Sequence, residues 1–495
     1  MSDPIQADNA LSAPYDAAVI GGGVVGCAIL RELSRYRLRV VLLERESDLA
    51  EGISKGNSGV IHAGFNVAPG SLKARLNVEG LDILYRLAAA LGVPHRITGK
   101  LVVAVGEGDF PRLEELLDQG RRNGVAGLEL VDRAAIERLA PGVRGLRALS
   151  SARTGIVSPY ELTIALGESA AANGARVVLQ AAVTSVEVRP DAFLLSTPRG
   201  VFAARWIVNA AGLDADDVAA LAGIRVPRVF PSRGEYLITD KGAGSVLDMP
   251  VYPVPPRDDS FLGVHITPTL EGHVLLGPGS EAVADKRDTA TTRAAVEKLQ
   301  AEALALVPGL AGIPFIHAYA GLRPKLVDPR GGPGTADFLI EESASRPRWI
   351  NLLGIESPGL TAAPAIALRV AGMIGAREGL KERPDFNPGR PAPTRFARRD
   401  DAERALRAAG DPAWSEMVCR CEHVTRAEVL AAVHNPFGAR TLDAIKRRTR
   451  CGMGRCQGGF CGPRIVEILK GEGEPVEKIS KRGSGSELFL GRLKP

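Results

Sequence analysis

Five of the six cysteines lie close to the C-terminal end of the chain, and their spacing points to metal or redox chemistry. Cys419 and Cys421 are separated by one residue, and Cys456 and Cys461 follow in a glycine-rich loop. Two loops that each carry two thiolates can hold one [2Fe-2S] cluster, which takes four cysteines. Structural zinc sites usually draw their thiols from pairs two to four residues apart, which makes zinc the less favoured alternative. Cys451 is a further thiol that could replace one of these four ligands.

Two histidines and two basic residues are candidates for proton transfer and anion binding. His62 and His265 are candidate bases, because histidine titrates near neutral pH; the alternative for each is a hydrogen-bonded core residue. Arg323 is the candidate anion clamp, because a guanidinium can form two parallel hydrogen bonds with a carboxylate or a phosphate. Lys325 follows two residues later and could supply a second positive charge. These residue types fit a site that binds a small anion and moves a proton.

The stretch 15–45 reads as a strand, a glycine turn, a helix and a second strand. Gly21, Gly23 and Gly26 have GxGxxG spacing, in which one glycine allows the turn, one lets the backbone approach a pyrophosphate, and one lets helix and strand pack closely. The phosphates then lie at the helix N-terminus. Glu44 ends the second strand, where its carboxylate can accept hydrogen bonds from an adenosine ribose and would repel a 2'-phosphate. We therefore predict a dinucleotide site, and the spacing by itself leaves FAD and NAD as alternatives.

The composition indicates a multidomain protein without a strong charge bias. Its 495 residues are enough for about two or three domains with a sizeable core. A net charge of +5 gives no case for nucleic acid, and we expect the basic run 446–450 to be solvated or to tune a negatively charged cluster. Residues 1–14 lack the regions of a secretory signal, and no apolar run approaches the roughly 20 residues of a membrane span. We expect a cytoplasmic protein, at most peripheral on the inner face of the cell membrane.

The elements that must position these residues alternate helices with strands and predict a discontinuous dinucleotide-binding domain. A second strand, glycine turn and helix spans 205–221, and a third spans 350–374. The third helix would direct its positive N-terminal end toward an electron-rich group. Short β-rich runs at 229–276 predict an antiparallel sheet over the cofactor. Further helices are predicted at 70–91, 110–123, 291–306 and after a capping box at Thr425 and Glu428, and further strands at 176–188, 193–203 and 315–320.

Over 15–374 the chain resembles the D-amino-acid-oxidase-type FAD superfamily, in the branch that contains glycerol-3-phosphate and L-2-hydroxyglutarate dehydrogenases. The matching motifs are GGGVVG at 21–26, NSGVIHAG at 57–64, NAAG at 209–212, RGEY at 233–236, GVHITP at 263–268, GLRP at 321–324 and SPGLTAAPAIA at 357–367. CRC and GMGRCQGGFC, between 418 and 469, resemble the bacterioferritin-associated-ferredoxin-like [2Fe-2S] domain attached to bacterial, anaerobic-type glycerol-3-phosphate dehydrogenases. The resemblance implies FAD rather than NAD.

The resemblance implies a chain of α/β and α+β class with three parts. These are a Rossmann-type FAD-binding domain, an inserted antiparallel-sheet substrate domain and a small helical iron–sulfur domain. The oxidoreductase part is expected at 15–382, and it is followed by a proline- and charge-rich linker (383–412), the iron–sulfur domain (413–475) and a tail (476–495). Its FAD-binding segments are expected at about 15–75, 155–225 and 335–382, and its substrate-domain segments at about 76–154 and 226–334.

The resemblance also implies which residues hold the cofactors. The expected cluster ligands are Cys419, Cys421, Cys456 and Cys461. The expected FAD contacts are Gly21, Gly23, Val24, Val25, Gly26, Glu44, Arg45, Ser54, Asn57, Ser58, Gly59, Val183, Ala210, Gly212, Gly321, Gly354, Pro358, Gly359, Leu360 and Thr361. Tyr236 and Tyr252 are expected to line the substrate pocket. Some relatives attach FAD through a histidine near the position of His62, and we keep this as a minority alternative.

The implied reaction is the oxidation of sn-glycerol 3-phosphate to dihydroxyacetone phosphate, by hydride transfer to the flavin while His62 or His265 takes the hydroxyl proton. Arg323 and Lys325 would bind the anionic group of this small hydroxy substrate. Electrons would leave through the cluster to a quinone or a protein acceptor, rather than to oxygen. A homo-oligomer is compatible with the sequence, and no nucleic-acid partner is expected.

Two other substrate classes stay open. RGEY with GVHITP favours L-2-hydroxyglutarate or a related 2-hydroxy acid. The better-known membrane-associated glycerol-3-phosphate enzymes have an arginine shortly after the equivalent of IHAG, where this chain has Phe65 and Asn66. Lys325 could replace that cation. An amine or amino-acid oxidase of the same fold is the third alternative.

Overall fold

The computed structural model describes residues 13–256, 263–326, 336–489 and 491, so residues 490 and 492–495 of the predicted tail lie outside it. The strands are β1 (Tyr15–Ile20), β2 (Val40–Leu43), β3 (Val60–Ile61), β4 (His95–Ile97), β5 (Leu101–Ala104), β6 (Leu128–Asp132), β7 (Arg147–Ser151), β8 (Gly155–Val157), β9 (Arg176–Val178), β10 (Ser185–Val188), β11 (Phe193–Thr197), β12 (Gly200–Asn209), β13 (Val229–Thr239), β14 (Val251–Pro253), β15 (Ile266–Pro268), β16 (Val274–Leu276), β17 (Glu281–Ala282), β18 (Phe315–Leu326), β19 (Leu339–Glu342), β20 (Trp349–Leu353), β21 (Met417–Cys419) and β22 (Val424–Thr425). The helices are α1 (Val24–Leu33), α2 (Leu72–Ala90), α3 (Phe110–Arg122), α4 (Arg133–Leu139), α5 (Pro159–Ala172), α6 (Ala215–Leu221), α7 (Arg293–Leu306), α8 (Gly359–Glu378), α9 (Asp401–Gly410), α10 (Arg426–Val433), α11 (Leu442–Thr449) and α12 (Cys461–Gly471).

The first sheet is built around a parallel core. β1 pairs in parallel with β12 on one side and with β2 on the other, and β2 pairs in parallel with β9. The far edge of the long strand β12 pairs first with β11 and then with β20, and β10 and β19 extend these two branches. Strands from three separate parts of the chain therefore form one sheet, as a discontinuous dinucleotide-binding domain requires.

Helices α1, α5 and α8 cover one face of this sheet, and α1 contacts both of the others. The strands facing them are almost wholly apolar, since parallel strands are buried on both faces. Helix α8 is long and apolar enough to cross a membrane, so the expectation that no apolar run has this length was wrong. In the fold α8 packs on α1 and α2, and 61% of its apolar window is buried.

The second sheet is mainly antiparallel and lies across the cavity described below. β13 and β18 form its longest pair, in register from Val229 opposite Leu326 to Thr239 opposite Phe315 with one irregularity. The strand predicted at 315–320 thus continues to Leu326 and includes Arg323. β5 and β14 form the one parallel pair among the described strands of this sheet. A small additional sheet, β4–β8–β3, supports the segment that ends at His62.

The C-terminal module contains the β21–β22 hairpin and helices α10, α11 and α12 around its own apolar core. The predicted capping box is present, with Thr425 and Glu428 exchanging hydrogen bonds at the start of α10. The proline- and charge-rich linker contains α9, which was not predicted and which has no buried side chain. Upstream of α9 the linker packs on the first domain, where Arg390 forms an ion pair with Glu168.

The described part of the predicted tail folds back onto both domains. The N–H of Asp443 donates to the Lys481 carbonyl at 2.9 Å, and the Ser47 hydroxyl donates to the Arg482 carbonyl at 2.5 Å. Gly483 adopts φ +120°, and a Cβ there would lie 3.0 Å from the Ser47 side chain. The close approach to the first domain therefore depends on a glycine.

Candidate active site

A cavity of about 1260 Å³ lies where the two sheets and the C-terminal module meet. Its walls include the ends of β1 and β2, the start of α8, and the β13–β18 pair. Residues between Asp443 and Ser486 close one side of it. Cofactor and substrate sites commonly have this concave, enclosed form.

The glycine turn after β1 has the shape required for a phosphate site. Gly21 adopts φ +111°, and a Cβ on Gly26 would lie 2.0 Å from the Gly21 carbonyl oxygen, so both positions require glycine. Helix α1 begins after Gly23, which has no side chain that could cap the helix. The Val24 N–H donates to the Ser54 hydroxyl at 2.8 Å, and the rest of the helix end lines the cavity. This end carries the positive charge of the helix dipole and suits a pyrophosphate.

Glu44 lies at the end of β2 and faces the same cavity. Its carboxylate accepts hydrogen bonds from the Gly22 N–H and, at 2.8 Å, from the Glu46 N–H. Burial raises the pKa of Glu44 above its ordinary value. The carboxylate therefore lies in direct contact with the glycine turn, at the carboxyl end of β2, where the adenosine half of a dinucleotide binds in this type of fold.

The N-terminus of α8 forms a second positive helix end in the cavity. Pro358, Gly359 and Leu360 line the wall, and the residue that precedes the helix, Pro358, makes no capping hydrogen bond with its side chain. Thr361 lies behind the wall, where its hydroxyl accepts the backbone N–H of His62 at 2.9 Å. Helix α8 therefore both presents its dipole to the cavity and fixes the position of His62.

Most predicted cofactor contacts line the cavity, and the others lie just behind it. The residues that line it are Gly21, Gly23, Val24, Val25, Glu44, Arg45, Ser54, Asn57, Ser58, Val183, Ala210, Gly212, Gly321, Pro358, Gly359 and Leu360. Gly26, Gly59, Gly354 and Thr361 support the wall. Gly59 and Gly354 have positive φ, and a Cβ on Gly59 would lie 2.4 Å from the Val157 carbonyl oxygen.

Two of the predicted catalytic residues, His62 and His265, share this cavity. Burial, and then the nearby charge of Lys100, lower the pKa of His62 to about 3. Its imidazole is consequently neutral near pH 7 and has a ring nitrogen that can accept a proton. The His265 ring stacks on Tyr252 with centroids 3.3 Å apart, and both residues line the cavity.

Arg323 lies on β18 with its guanidinium in the cavity wall. Its Nη2 donates to the Gly279 carbonyl at 3.1 Å, whereas its buried Nη1 has no hydrogen-bond partner among the described residues. Gly234 on β13 makes room for this group, because a Cβ there would lie 2.7 Å from Nη2. A buried guanidinium nitrogen that lacks a partner favours binding of an anion.

Close contacts connect β18 to the loop under the cofactor cavity. A Cβ on Gly321 would lie 1.8 Å from the Gly56 carbonyl oxygen, so the two backbones touch directly. The Tyr319 hydroxyl donates to the Asn57 carbonyl at 3.3 Å, and the Tyr319 ring stacks on Tyr236 at 4.8 Å. The strand that carries Arg323 is thereby held against residues predicted to contact FAD.

Lys325 is not brought to the site. It is the second residue after Arg323 on β18, about 7 Å further along the strand, and it does not line the cavity. The structure instead shows a buried cation that the sequence did not indicate. The Lys100 ammonium lies 3.6 Å from the ring centroid of Tyr252 and 4.8 Å from that of Phe65. It forms no ion pair among the described residues, and burial lowers its pKa to about 7.

The five late cysteines lie together in the C-terminal module. The ligand atoms of Cys419, Cys451 and Cys461 lie within 4.8 Å of one another, and the sulfur atoms of Cys421 and Cys456 are 3.9 Å apart. Hydrogen bonds from Cys451 and then from Cys461 lower the pKa of Cys419, which favours a thiolate at the centre of the buried group. This set of thiols fits an iron–sulfur cluster.

The basic run before Cys451 is buried, so the expectation that it is solvated was wrong. Arg447 donates to Asp48 at 2.9 Å and to Glu51 at 2.5 Å, and Arg448 donates to Asp48 at 2.8 Å. All four side chains are almost completely buried. Because Asp48 and Glu51 belong to the first domain, these ion pairs fix the module against it.

A second group of contacts reaches the cavity. Arg450 donates to the Tyr160 hydroxyl at 3.0 Å and to Glu422 at 2.8 Å, and the Tyr160 hydroxyl lies 3.6 Å from the sulfur of Met453. Tyr160, Arg450 and Met453 all line the cavity. The loop that carries Cys451 and Cys456 therefore forms part of the cavity wall.

Comparisons with known proteins agree with this geometry. The family model described as FAD dependent oxidoreductase matches residues 16–373, and the BFD-like [2Fe-2S] binding domain matches 417–471. A glycerol 3-phosphate dehydrogenase of Caloramator mitchellensis is 36% identical over 484 residues, which are 97% of this chain and 99% of the relative. The mitochondrial L-2-hydroxyglutarate dehydrogenase of Caenorhabditis elegans is 39% identical over 282 residues, 55% of this chain and 65% of that protein. The structure of the L-alpha-glycerophosphate oxidase of Mycoplasma pneumoniae with FAD bound superposes with a TM-score of 0.70 at 29% identity, over 77% of this chain and all of that one.

Proposed function

Since this chain belongs to the FAD dependent oxidoreductase family and carries a BFD-like [2Fe-2S] binding domain, we propose that it is a dehydrogenase of sn-glycerol 3-phosphate. The product would be dihydroxyacetone phosphate, and the electrons would leave through the cluster. The observation that carries the substrate proposal is the buried Nη1 of Arg323, which lacks a partner among the described residues and lies in the cavity wall with His62. Similarity over nearly the whole length to a glycerol 3-phosphate dehydrogenase supports the same substrate.

Different residues would bind the substrate and accept its proton. Arg323 would hold the phosphate through charge-assisted hydrogen bonds, which fix the carbinol carbon relative to the cofactor. His62, neutral because burial lowers its pKa, would accept the hydroxyl proton at a ring nitrogen. The bound FAD supplies the acceptor for the hydride. Gly21 and Gly23 at the start of α1, together with Glu44, would hold its adenosine diphosphate half.

The cluster ligands are proposed from the sulfur positions. Cys421 and Cys456 are close enough to bind one iron, and Cys419 and Cys461 would bind the other. Cys451 lies beside the second pair and would stay a thiol that donates a hydrogen bond. A flavin delivers two electrons while a cluster carries one at a time, so the attached domain favours a dehydrogenase over an oxygen-reducing oxidase.

L-2-hydroxyglutarate is the second candidate substrate, and one structural observation favours it. Phe65 and Asn66 stand where the membrane-associated glycerol-3-phosphate enzymes have an arginine, and Phe65 is buried in the same apolar cluster as Leu116 rather than in the cavity wall. Arg323 can pair with a carboxylate as readily as with a phosphate. Identity of 39% to the Caenorhabditis elegans protein over its matched region is consistent with this alternative.

Anaerobic titration of the purified protein with each substrate, followed by visible and EPR spectra, tests the proposal. We expect glycerol 3-phosphate to bleach the flavin band and reduce the cluster. Bleaching only by L-2-hydroxyglutarate would support the second candidate. Bleaching only by sarcosine, proline or a D-amino acid, with peroxide formed in air, would contradict both and support an amine or amino-acid oxidase.

A variant of the anion clamp makes the test specific. We expect Arg323→Met to raise the substrate concentration needed for half-bleaching on the order of 100-fold, because hydrogen bonds to a charged group are lost. Lys325→Met is the matched control, since Lys325 lies on the same strand outside the cavity wall and should change this concentration less than about twofold. Equal effects of the two substitutions would contradict the assignment of Arg323.

A further inference from the structure

One pair of cluster cysteines lies at the surface of the C-terminal module. Cys456 is exposed and Cys421 is partly exposed, whereas Cys419, Cys451 and Cys461 are buried. The sulfur atoms of Cys421 and Cys456 are 3.9 Å apart. The iron bound by this pair would therefore be the one that a partner protein can approach.

An aromatic side chain held between two arginines lies directly beside this exposed pair. The Phe460 ring is 40% exposed and therefore presents apolar surface to solvent. The guanidinium of Arg420 lies 4.9 Å from the ring centroid, and that of Arg464 lies 4.8 Å from it. Arg420 directly precedes Cys421, and Phe460 directly precedes Cys461. We call Arg420, Phe460 and Arg464, together with the exposed Cys456, the Phe460 patch.

The charge of the Phe460 patch is positive and unbalanced. No Asp or Glu occurs between Asp443 and Glu467. Neither Arg420 nor Arg464 forms an ion pair with a carboxylate in the part of the chain that the structure describes. Arg464 is fixed in place, since its Nη1 donates to the Met417 carbonyl at 2.6 Å.

Other arginines of the same basic segment are neutralised within the molecule. Arg447 and Arg448 are paired with acids of the first domain, and Arg450 is paired with Glu422. Arg455 is exposed but forms an ion pair with Asp240. Among the arginines between Asp443 and Glu467, Arg464 is thus the one without an ion pair in the described part of the chain, and it lies with Arg420 where the cluster cysteines reach the surface.

We propose that the Phe460 patch docks an acidic one-electron carrier protein, which takes electrons from the iron held by Cys421 and Cys456. The proposal rests on the proposed exit of electrons through the cluster. Each substrate molecule gives up two electrons and two protons as its alcohol becomes a ketone. Two oxidised carriers would each accept one electron in turn, and the protons would pass to solvent.

The properties of the patch favour a protein over a membrane quinone. Interfaces of redox partners are small, under about 1,200 Å² of total buried surface, and they use charge complementarity to steer the encounter. One phenyl ring between two guanidiniums provides such a small, charged surface with an apolar centre. It provides no apolar slot for a quinone, which would need an enclosed hydrophobic site.

Two proteins of opposite charge serve as probes for the full-length, FAD- and cluster-loaded enzyme: plant plastocyanin, an acidic copper protein, and mitochondrial-type cytochrome c, a basic haem protein. At low salt, substrate-reduced enzyme should reduce plastocyanin at least about tenfold faster than cytochrome c, and salt near 0.3 M should remove most of this difference. A faster reaction with cytochrome c, or rates that do not depend on salt, would overturn the proposal.

Matched variants locate the docking surface. Arg420→Glu should lower the plastocyanin rate about tenfold at low salt, and Phe460→Ala should lower it at every salt concentration. Lys470→Glu is the control, because it makes the same charge change on α12 at about 14 Å along the helix from Cys461. Equal losses in Arg420→Glu and Lys470→Glu would overturn the proposal.

A binding measurement separates docking from catalysis. Oxidised enzyme without substrate should broaden the NMR signals of ¹⁵N-labelled plastocyanin, and Arg420→Glu should abolish the broadening. Flavin bleaching and the EPR signal of the reduced cluster should stay unchanged in all three variants. Loss of these signals in the wild type would contradict the proposed function instead. Ubiquinone in anionic phospholipid vesicles serves as an alternative acceptor. If the enzyme reduces this quinone but not plastocyanin, and Arg420→Glu leaves the quinone rate unchanged, the docking proposal alone would be overturned.

Discussion

Replacing Lys100 by methionine should stabilise the protein at low pH and lose this effect as the pH rises. Lys100 is 2% exposed, and the contacts of its ammonium are with the rings of Tyr252 and Phe65. Methionine keeps most of the unbranched side-chain volume and removes the charge, so the substitution tests the buried charge rather than the packing. Burial of a charge without an ionic partner is costly.

The magnitude follows from the lowered pKa. Burial lowers the pKa of Lys100 from 10.5 to about 7, which corresponds to a cost on the order of 5 kcal/mol when the side chain is charged. The unfolded chain binds more protons than the folded one between pH 7 and pH 10.5, so the free energy of unfolding of the wild type rises with pH across this range. The advantage of Lys100→Met should therefore be about 4–5 kcal/mol at pH 6.5 and about 1 kcal/mol at pH 9.5.

Thermal unfolding of the FAD-loaded proteins, followed by release of flavin fluorescence at several pH values, measures this difference. A chain of this size shifts its Tm by roughly 1–2 °C per kcal/mol, so we expect Lys100→Met to melt several degrees higher at pH 6.5 and close to the wild type at pH 9.5. Lys298→Met, at an exposed lysine of α7, is the control and should give curves parallel to the wild type. Parallel curves for Lys100→Met as well, or a lower Tm at pH 6.5, would refute the reasoning.

Lys100→Met should also raise the pKa of His62, because the nearby charge that lowers this pKa is removed. The loss of the flavin reduction rate at acidic pH should then begin at a higher pH than in the wild type.

Three further outcomes follow from close contacts. Gly26→Ala should purify with little FAD, measured by absorbance after denaturation, because its Cβ would lie 2.0 Å from the Gly21 carbonyl oxygen; normal FAD content would contradict the assigned glycine turn. Asp48→Asn should weaken docking of the C-terminal module by about 3–5 kcal/mol, because Arg448 loses its buried partner. Trypsin should then cut the linker much faster than in the wild type, and an unchanged cleavage rate would contradict the role of this ion pair. Cys451→Ser should keep two irons and acid-labile sulfide per chain, whereas Cys456→Ser should lose them; the opposite result would exchange their assigned roles.

Local patterns were sufficient for much of the fold. The glycine turn at Gly21 and the helix that follows it depend on residues close in sequence, and so does the capping box at Thr425. The two strand–turn–helix units at 205–221 and 350–374 were also predicted correctly. Helix α9 was missed because the proline- and charge-rich composition of 383–412 indicated a linker, and none of the side chains of α9 is buried in a core.

Local patterns did not predict which cations lie at the substrate end of the site. Arg323 was predicted from its motif, but Lys325 has the same residue class two positions away and lies outside the cavity wall. Lys100 was not considered from the sequence, and its burial comes from Tyr252 and Phe65, which are distant in the chain. The sequence gives the residue type and thus its possible charge, whereas the solvation of that charge depends on the side chains that the fold packs around it.

The sequence by itself determined the cofactor chemistry of this protein: glycines at the turn that accept a dinucleotide, and five late thiols that suit an iron–sulfur cluster. Only the tertiary structure decided how the two are joined. Arg447 and Arg448 belong to the basic run that was expected to be solvated or to tune the cluster, yet they are buried against Asp48 and Glu51 some 400 positions earlier. Tertiary packing also determines which of the five thiols are buried and which reach the surface. Short-range sterics fix turns and caps, but ion pairing and burial arise only when remote segments pack together.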